Sequence, residues 1–253
     1  MIQFVESHAH LDILRRDLKE VLEDARREGV TKIITIGVDI ESCQKNLSYA
    51  EQYNNVYTAV GFHPHESKKM KERELFLLEK MVVHPKNVAL GEIGLDYHYN
   101  HSSPEEQGQA FQRQIDLANK YNLPIIIHDR NAHQETMATL TKQARRRKVA
   151  LHCFSGDLPM AKWCVEQGFY LGIGGVITFK NASVLSQVVK EIPLQSILLE
   201  TDSPFLTPHP FRGKPNEPKY IPFIARKIAQ LKEITIEEVA RVTTENARYF
   251  FGI

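Results

Sequence analysis

The chain has 253 residues, of which 42% are hydrophobic and 25% charged, with a formal net charge of +1 at pH 7. This composition excludes an intrinsically disordered chain and leaves enough apolar residues for a sizeable core. The near-zero charge excludes a global basic field, so any polyanion would have to be recognised locally.

Eight short runs rich in Val, Ile, Leu and Tyr recur along the chain, each followed by a longer segment with helical spacing. The first, residues 2–7, leads into His8 and His10. Leu14, Leu18, Val21 and Ala25 then form a helical stripe, and Gly29 stands where a C-terminal cap belongs. Runs at 32–38, 56–62 and 88–93 follow, the third leading into His63-Pro64-His65 and the fourth containing Glu92. Ser103-Pro104-Glu105-Glu106 predicts a helix start with a capping box, ahead of a buried stripe of Phe111, Ile115 and Ala118. The fifth run, 124–127, precedes His128, and the sixth, 149–152, closes on His152. The basic run Arg145-Arg146-Arg147-Lys148 enters that sixth strand, which assigns it to the end of the fold opposite the histidines. The seventh run covers 169–174; the eighth, 197–201, is followed by Asp202 and a loop over 203–221 that holds Pro204, Pro208, Pro210, Pro215 and Pro218.

Eight strand-helix units without a composition break predict an α/β fold, a single-domain (β/α)8 TIM barrel over residues 1–253, a length of about the typical 250 for that fold. In such barrels the active site lies at the C-terminal ends of the strands. His8, His10, Glu92, His128, His152 and Asp202 all fall there, and alternation along a strand points His8 and His10 to one face. One H-x-H alone carries little weight among 11 histidines; six ligand-type residues at one edge predict a metal site. Imidazole with carboxylate and no thiolate cluster suits Zn, Mn, Fe, Co or Mg. Cys153 has the opposite strand parity to His152 and is expected to face the helices as a small apolar residue. The cysteines form no C-x-x-C pair, no apolar run approaches the roughly 18 residues of a membrane span, and residues 1–6 are too acidic for a signal peptide, so the expectation is a cytoplasmic protein without membrane contact.

Several motifs are specific. They include Ser7-His8-Ala9-His10-Leu11, Gly61-Phe62-His63-Pro64-His65, Gly91-Glu92-Ile93-Gly94-Leu95-Asp96-Tyr97, Ile127-His128-Asp129-Arg130, His152-Cys153-Phe154-Ser155-Gly156, Glu200-Thr201-Asp202-Ser203-Pro204 and the stretch from Arg212 through Lys214 to Pro218. With these the chain resembles the TatD family of metal-dependent deoxyribonucleases in the amidohydrolase superfamily, over almost its whole length. The resemblance implies two divalent ions, chosen among Mg, Mn, Zn and Co: one on His8, His10 and Asp202, a second on His128 and His152, with Glu92 bridging. It also implies a 3′–5′ exodeoxyribonuclease acting on single-stranded DNA or a DNA 3′ end. Glu6 departs from the family, which usually carries Asp two residues before the first histidine, and this bears on the support of His8.

Two divalent ions set against Glu92 and Asp202 leave a positive surplus that favours an anionic phosphoester. Asp202 is the expected group to orient the attacking water and accept its proton. His63 is expected to donate to a phosphate oxygen, Glu200 to bond His63 or the water, and Arg212 and Lys214 to bind phosphate. The alternative is a hydrolase of a carbonyl ester or amide, such as an aminoacyl-tRNA ester, using the same metals. No obligate protein partner is evident in the sequence.

Overall fold

The apolar runs form eight strands: β1 (Phe4–Ala9), β2 (Val30–Ile36), β3 (Val56–Val60), β4 (Asn87–Asp96), β5 (Ile125–Arg130), β6 (Val149–Leu151), β7 (Tyr170–Ile173) and β8 (Ile197–Leu199). In this computed structural model the described residues are 2–99, 101–143 and 148–253. Arg145, Arg146 and Arg147 of the basic run lie outside them. Between and after the strands lie α1 (Leu18–Arg27), α2 (Ile40–Gln52), α3 (Glu72–Val82), α4 (Pro104–Tyr121), α5 (His133–Gln143), α6 (Leu158–Glu166), α7 (Ser183–Glu191), α8 (Ile221–Lys232) and α9 (Ile236–Phe251). The strands form one sheet in the order β1 to β8, the alternation of a (β/α)8 barrel. The end of β8 returns to β1: Asp202 N–H donates to the His8 carbonyl at 2.9 Å and His10 N–H to the Ser203 carbonyl at 2.8 Å.

The chain divides into two compact units, Met1–Thr35 with Cys153–Ile253, and Ile36–His152. The first carries β7, β8, β1 and nearly all of β2; the second carries β3 to β6. In the second, two buried glutamines seven residues apart on α4 latch the ends of two strands. Gln114 Oε1 accepts from Phe62 N–H at 2.7 Å and its amide donates back to the Phe62 carbonyl; Gln107 does the same for Asp96 at 2.8 and 3.0 Å. Buried amides need such partners, and here they are the backbone groups of Phe62, next to His63, and of Asp96, four residues after Glu92. The helix itself starts as its sequence predicts, with Pro104 in the first turn and Ser103 and Glu106 exchanging hydrogen bonds as a capping box.

Two local expectations change. Leu14 lies ahead of α1 rather than on it, because Asp17 caps the helix and Leu18 opens it. β1, β4 and β5 run past their apolar segments, so His8, Asp96 and His128 lie within strands: the β4–β5 ladder continues through Gly94↔His128 to Asp96↔Arg130. Polar side chains at the mouth of a barrel carry no apolar signature, although their backbone still pairs.

The proline-rich loop after β8 is tied down within the first unit. Asn216, wholly buried, donates to the Thr201 carbonyl at 2.7 Å and to the Phe205 carbonyl, while its Oδ1 accepts from Glu217 N–H. Arg16 donates to Glu217 at 2.6 Å and to Asp24 at 3.0 Å. Asn216→Ala should strand two buried carbonyls at a cost of about 2–3 kcal/mol. Thermal unfolding should show Tm lowered by roughly 4–12 °C, and an unchanged Tm would mean that the loop is held by other contacts.

Candidate metal centre

In the Ile36–His152 unit, three imidazoles surround one carboxylate. Glu92 Oε1 lies 2.7 Å from His128 Nδ1, 2.8 Å from His152 Nε2 and 3.5 Å from His63 Nε2. The β4–β5 register shifts between Leu90 and Ile93, and irregularities of this kind re-aim a side chain beside an active site. Gly94, at φ +142°, lets the strands approach there: a Cβ at this position would sit 2.0 Å from the His128 carbonyl oxygen. Burial alone would raise the Glu92 carboxyl, but the charges of His152 and His63 and hydrogen bonds from His128 and His152 hold it well below the ordinary value.

Behind these groups stands Asp96, which the sequence reading quoted in a motif without giving it a role. Its Oδ2 lies 3.0 Å from both His128 Nε2 and His65 Nε2, and its Oδ1 accepts from His98 N–H and Tyr99 N–H at 2.9 Å each. Burial opposes ionisation, yet these donors, His128 foremost, hold its carboxyl well below the usual range. His128 is placed between the two acids. Burial would lower its pKa, but Asp96 and Glu92 outweigh that and raise it, so the ring can hold a proton on each nitrogen. This donor set fits a divalent ion, which would take the place of the Nδ1 proton while Nε2–H stays on Asp96, the usual pairing of a metal-ligating imidazole with a carboxylate.

His63 differs from its neighbours. Its Nδ1 accepts from His65 N–H at 3.0 Å, and burial lowers its pKa, so the neutral ring carries its proton on Nε2, which faces His128 Nδ1 at 3.3 Å and Glu92. His63, Glu92 and His128 bring ligand-type atoms within 4.8 Å of one another, but the tautomer makes His63 a donor rather than a ligand.

In the unit of Met1–Thr35 with Cys153–Ile253, Asp202 Oδ1 lies 3.4 Å from His10 Nε2 and 3.8 Å from His8 Nε2. Asp202 takes a left-handed backbone conformation, φ +55°, which Asp tolerates better than most residues. Glu6 acts on the backbone rather than on the ring of His8: its Oε1 accepts from His8 N–H at 2.9 Å and Thr201 N–H at 3.0 Å, joining the ends of β1 and β8. Burial pushes its carboxyl well above the ordinary value against those hydrogen bonds. Glu200 is also buried and accepts the Cys153 backbone N–H; Gly172 leaves room for it, since a Cβ there would lie 2.2 Å from its Oε2. Cys153 does not follow strand parity, because β6 ends at Leu151; at φ +43° it is half-buried and lines a cleft of about 240 Å³ with Phe154, Gly172 and Leu185. Arg212 is exposed, with its guanidinium 4.0 Å over the Phe179 ring and a hydrogen bond to the Thr207 carbonyl; Lys214 is exposed nearby in sequence.

Each unit thus holds two imidazoles and a carboxylate: His8, His10 and Asp202 in one, His128, His152 and Glu92 in the other. All six lie toward the C-terminal ends of their strands or just beyond. Asp96, His65 and Gln107 are the additions. Asp96 had one legible signal, since it follows Glu92 by four residues and so shares its strand face.

The family model described as TatD related DNase matches residues 5–252. The chain is 45% identical over 252 residues to the uncharacterized metal-dependent hydrolase YabD of Bacillus subtilis (strain 168), covering 98% of each. It is 34% identical over 245 residues to a protein of Erwinia tasmaniensis named 3′-5′ ssDNA/RNA exonuclease TatD, covering 94% of this chain and 95% of that one. The crystal structure of YJJV, a TatD homologue from Escherichia coli K12, superposes with a TM-score of 0.93 at 32% identity, over 99% of this chain and 98% of that chain.

Asp96→Asn replaces a carboxylate that fixes the His128 tautomer with an amide that holds it weakly. Titration calorimetry should show a 10- to 100-fold loss of affinity for the divalent ion that His128 would hold. Affinity equal to that of the wild type would mean that His128 is oriented without Asp96.

Proposed function

The chain belongs to the TatD family of metal-dependent hydrolases, and from that premise we propose that it is a two-metal phosphodiesterase that removes nucleotides from the 3′ end of single-stranded DNA. The observation that carries the proposal is the pair of matched ligand sets, each with two imidazoles and one carboxylate, His8/His10/Asp202 and His128/His152/Glu92. We assign one ion to each set, from among Mg, Mn, Zn and Co. Two such ions, when bound, bring four positive charges against two carboxylates, draw an anionic phosphodiester and make a water acidic enough to attack it.

The chain's own residues would then divide the work. Asp202 orients the water and accepts its proton. His63, with its proton on Nε2 because Nδ1 accepts from His65 N–H, donates to a phosphate oxygen, and its low pKa keeps the ring neutral. Glu200 positions the segment around Cys153 through its backbone contact, and Arg212 and Lys214 extend a basic loop toward the phosphate chain. The reading includes one catalytic domain over residues 1–253, supported by the family match along nearly the whole chain. It also includes a cytoplasmic setting, supported by a sequence with only three cysteines and no C-x-x-C pair. Among the described residues no helix is long and apolar enough to cross a membrane.

Release of nucleotides from a 3′-labelled single strand by protein loaded with Mg²⁺ or Mn²⁺ is the expected result, with a parallel RNA strand testing sugar tolerance. Inactivity on both strands and on a bis-aryl phosphate, with release of a free carboxylate from an aminoacyl ester, would move the chain to the carbonyl reading. Within the site, Asp202→Asn should lose about 10²- to 10⁴-fold in kcat with little rescue by excess metal. His128→Ala should recover part of its activity as Mn²⁺ is raised. The reverse pattern across a metal titration would overturn the roles given to these two residues.

A further inference from the structure

Tyr99 is one of few large aromatic rings exposed in the second unit, with 45% of its surface open. It is also the one tied to the catalytic cluster. The carboxylate that receives His128 Nε2 on one oxygen receives Tyr99 N–H on the other, so the placement of the ring's backbone and the orientation of His128 depend on the same group. From His128 the rings follow one another outward, with centroids 6.4 Å apart from His128 to His65 and 5.8 Å apart from His65 to Tyr99. Around Tyr99 the His98 ring meets it edge-on at 4.5 Å, His101 lies nearly parallel at 5.9 Å, and the Arg130 guanidinium lies over it at 4.8 Å.

An isolated aromatic residue on a surface needs no explanation, but this one is buttressed by imidazoles, carries a cation over its ring, and is held by backbone contacts to the carboxylate behind a metal ligand. Aromatic rings beside an arginine are the means by which proteins hold single-stranded nucleic acid without reading its sequence: the base stacks on the ring and the guanidinium meets the phosphate. We propose that Tyr99 is the stacking platform for a nucleobase of the single-stranded substrate, with Arg130 contacting the adjoining phosphate and His98 and His101 bracing the ring. The inference rests on the nuclease reading above and names how that site would grip its strand. Because every base has a π face, this platform implies tolerance of base identity together with a requirement for an unpaired end, since a base within a duplex is already stacked.

The test uses metal-loaded protein and a single-stranded oligonucleotide with phosphorothioate linkages at its 3′ end and 2-aminopurine among its terminal bases, whose fluorescence falls on stacking. Wild type and Tyr99→Phe should bind and quench. Tyr99→Ala and Tyr99→Leu should lose the quench and bind roughly 5- to 100-fold more weakly. Circular dichroism confirms that these variants are folded, and Leu, which keeps bulk without a π face, separates stacking from general apolar contact. Tyr249→Ala, which removes another exposed aromatic on α9, should bind like the wild type. Binding without a quench by the wild type, or an undiminished quench in Tyr99→Ala and Tyr99→Leu, would overturn the platform and leave the nuclease reading standing. A wild type that neither binds nor cleaves the single strand would overturn both.

Discussion

The second unit is organised around one buried carboxylate. Asp96 uses both oxygens twice, receiving two imidazoles on one and two backbone N–H groups on the other. A buried acid is tolerable only when its acceptor sites are filled, and here the groups that fill them are the ones the site needs fixed. His128 is set in one tautomer, His65 is held so that its backbone can fix His63, and the turn that begins at Tyr97 is held in place. The carboxylate is in turn positioned by Gln107, whose amide grips the Asp96 backbone from α4. Helix capping at Ser103 therefore belongs to the same chain of dependence.

The two ligand sets are supported by different means. Glu92 sits on a long strand paired on both sides, at a ladder irregularity beside a glycine that brings β5 close. Asp202 sits just beyond a three-residue strand, in a left-handed conformation, and depends on its backbone bond to His8 and on the loop held by Asn216. The first arrangement is held by its sheet, the second by side chains that fill backbone needs. Glu6 belongs to the second kind: its extra methylene, relative to Asp, places the carboxylate on the backbone N–H groups of His8 and Thr201.

The eight strands were legible because parallel strands are apolar on both faces, and the barrel followed from their number and alternation with helices. Their polar extensions were not: nothing in His-Asp-Arg after the fifth apolar run announces that pairing continues to Arg130. The six ligand-type residues could be picked out because histidines and acids recurred just where those runs stop. Asp96 could not be given its role, since its imidazole partners are 31 and 32 residues away and only the folded sheet brings them together. The tautomer of His63 was hidden for a different reason, being set by a local turn at His65 whose geometry the residue types do not specify. Leu14 was misplaced because a 3.6-residue period extends past a cap as easily as up to it, and Asp17 decided the boundary.

The split of the chain into one continuous and one discontinuous unit has a temporal side. The contacts around Glu92 and His128 span 24 to 65 residues and lie wholly within 36–152, whereas those joining β1 to the end of β8 span 192 and 195. Closing the longer loop costs only about 1–2 kcal/mol more in chain entropy, so the finished protein suffers little from the separation. A chain leaving the ribosome at about 5–20 residues per second experiences it as a delay of several seconds between the emergence of His152 and that of Asp202. The group of Glu92, His128 and His152 is therefore complete in the growing chain before the group of His8, His10 and Asp202, whose histidines are made first and whose aspartate follows His152 by about 50 residues.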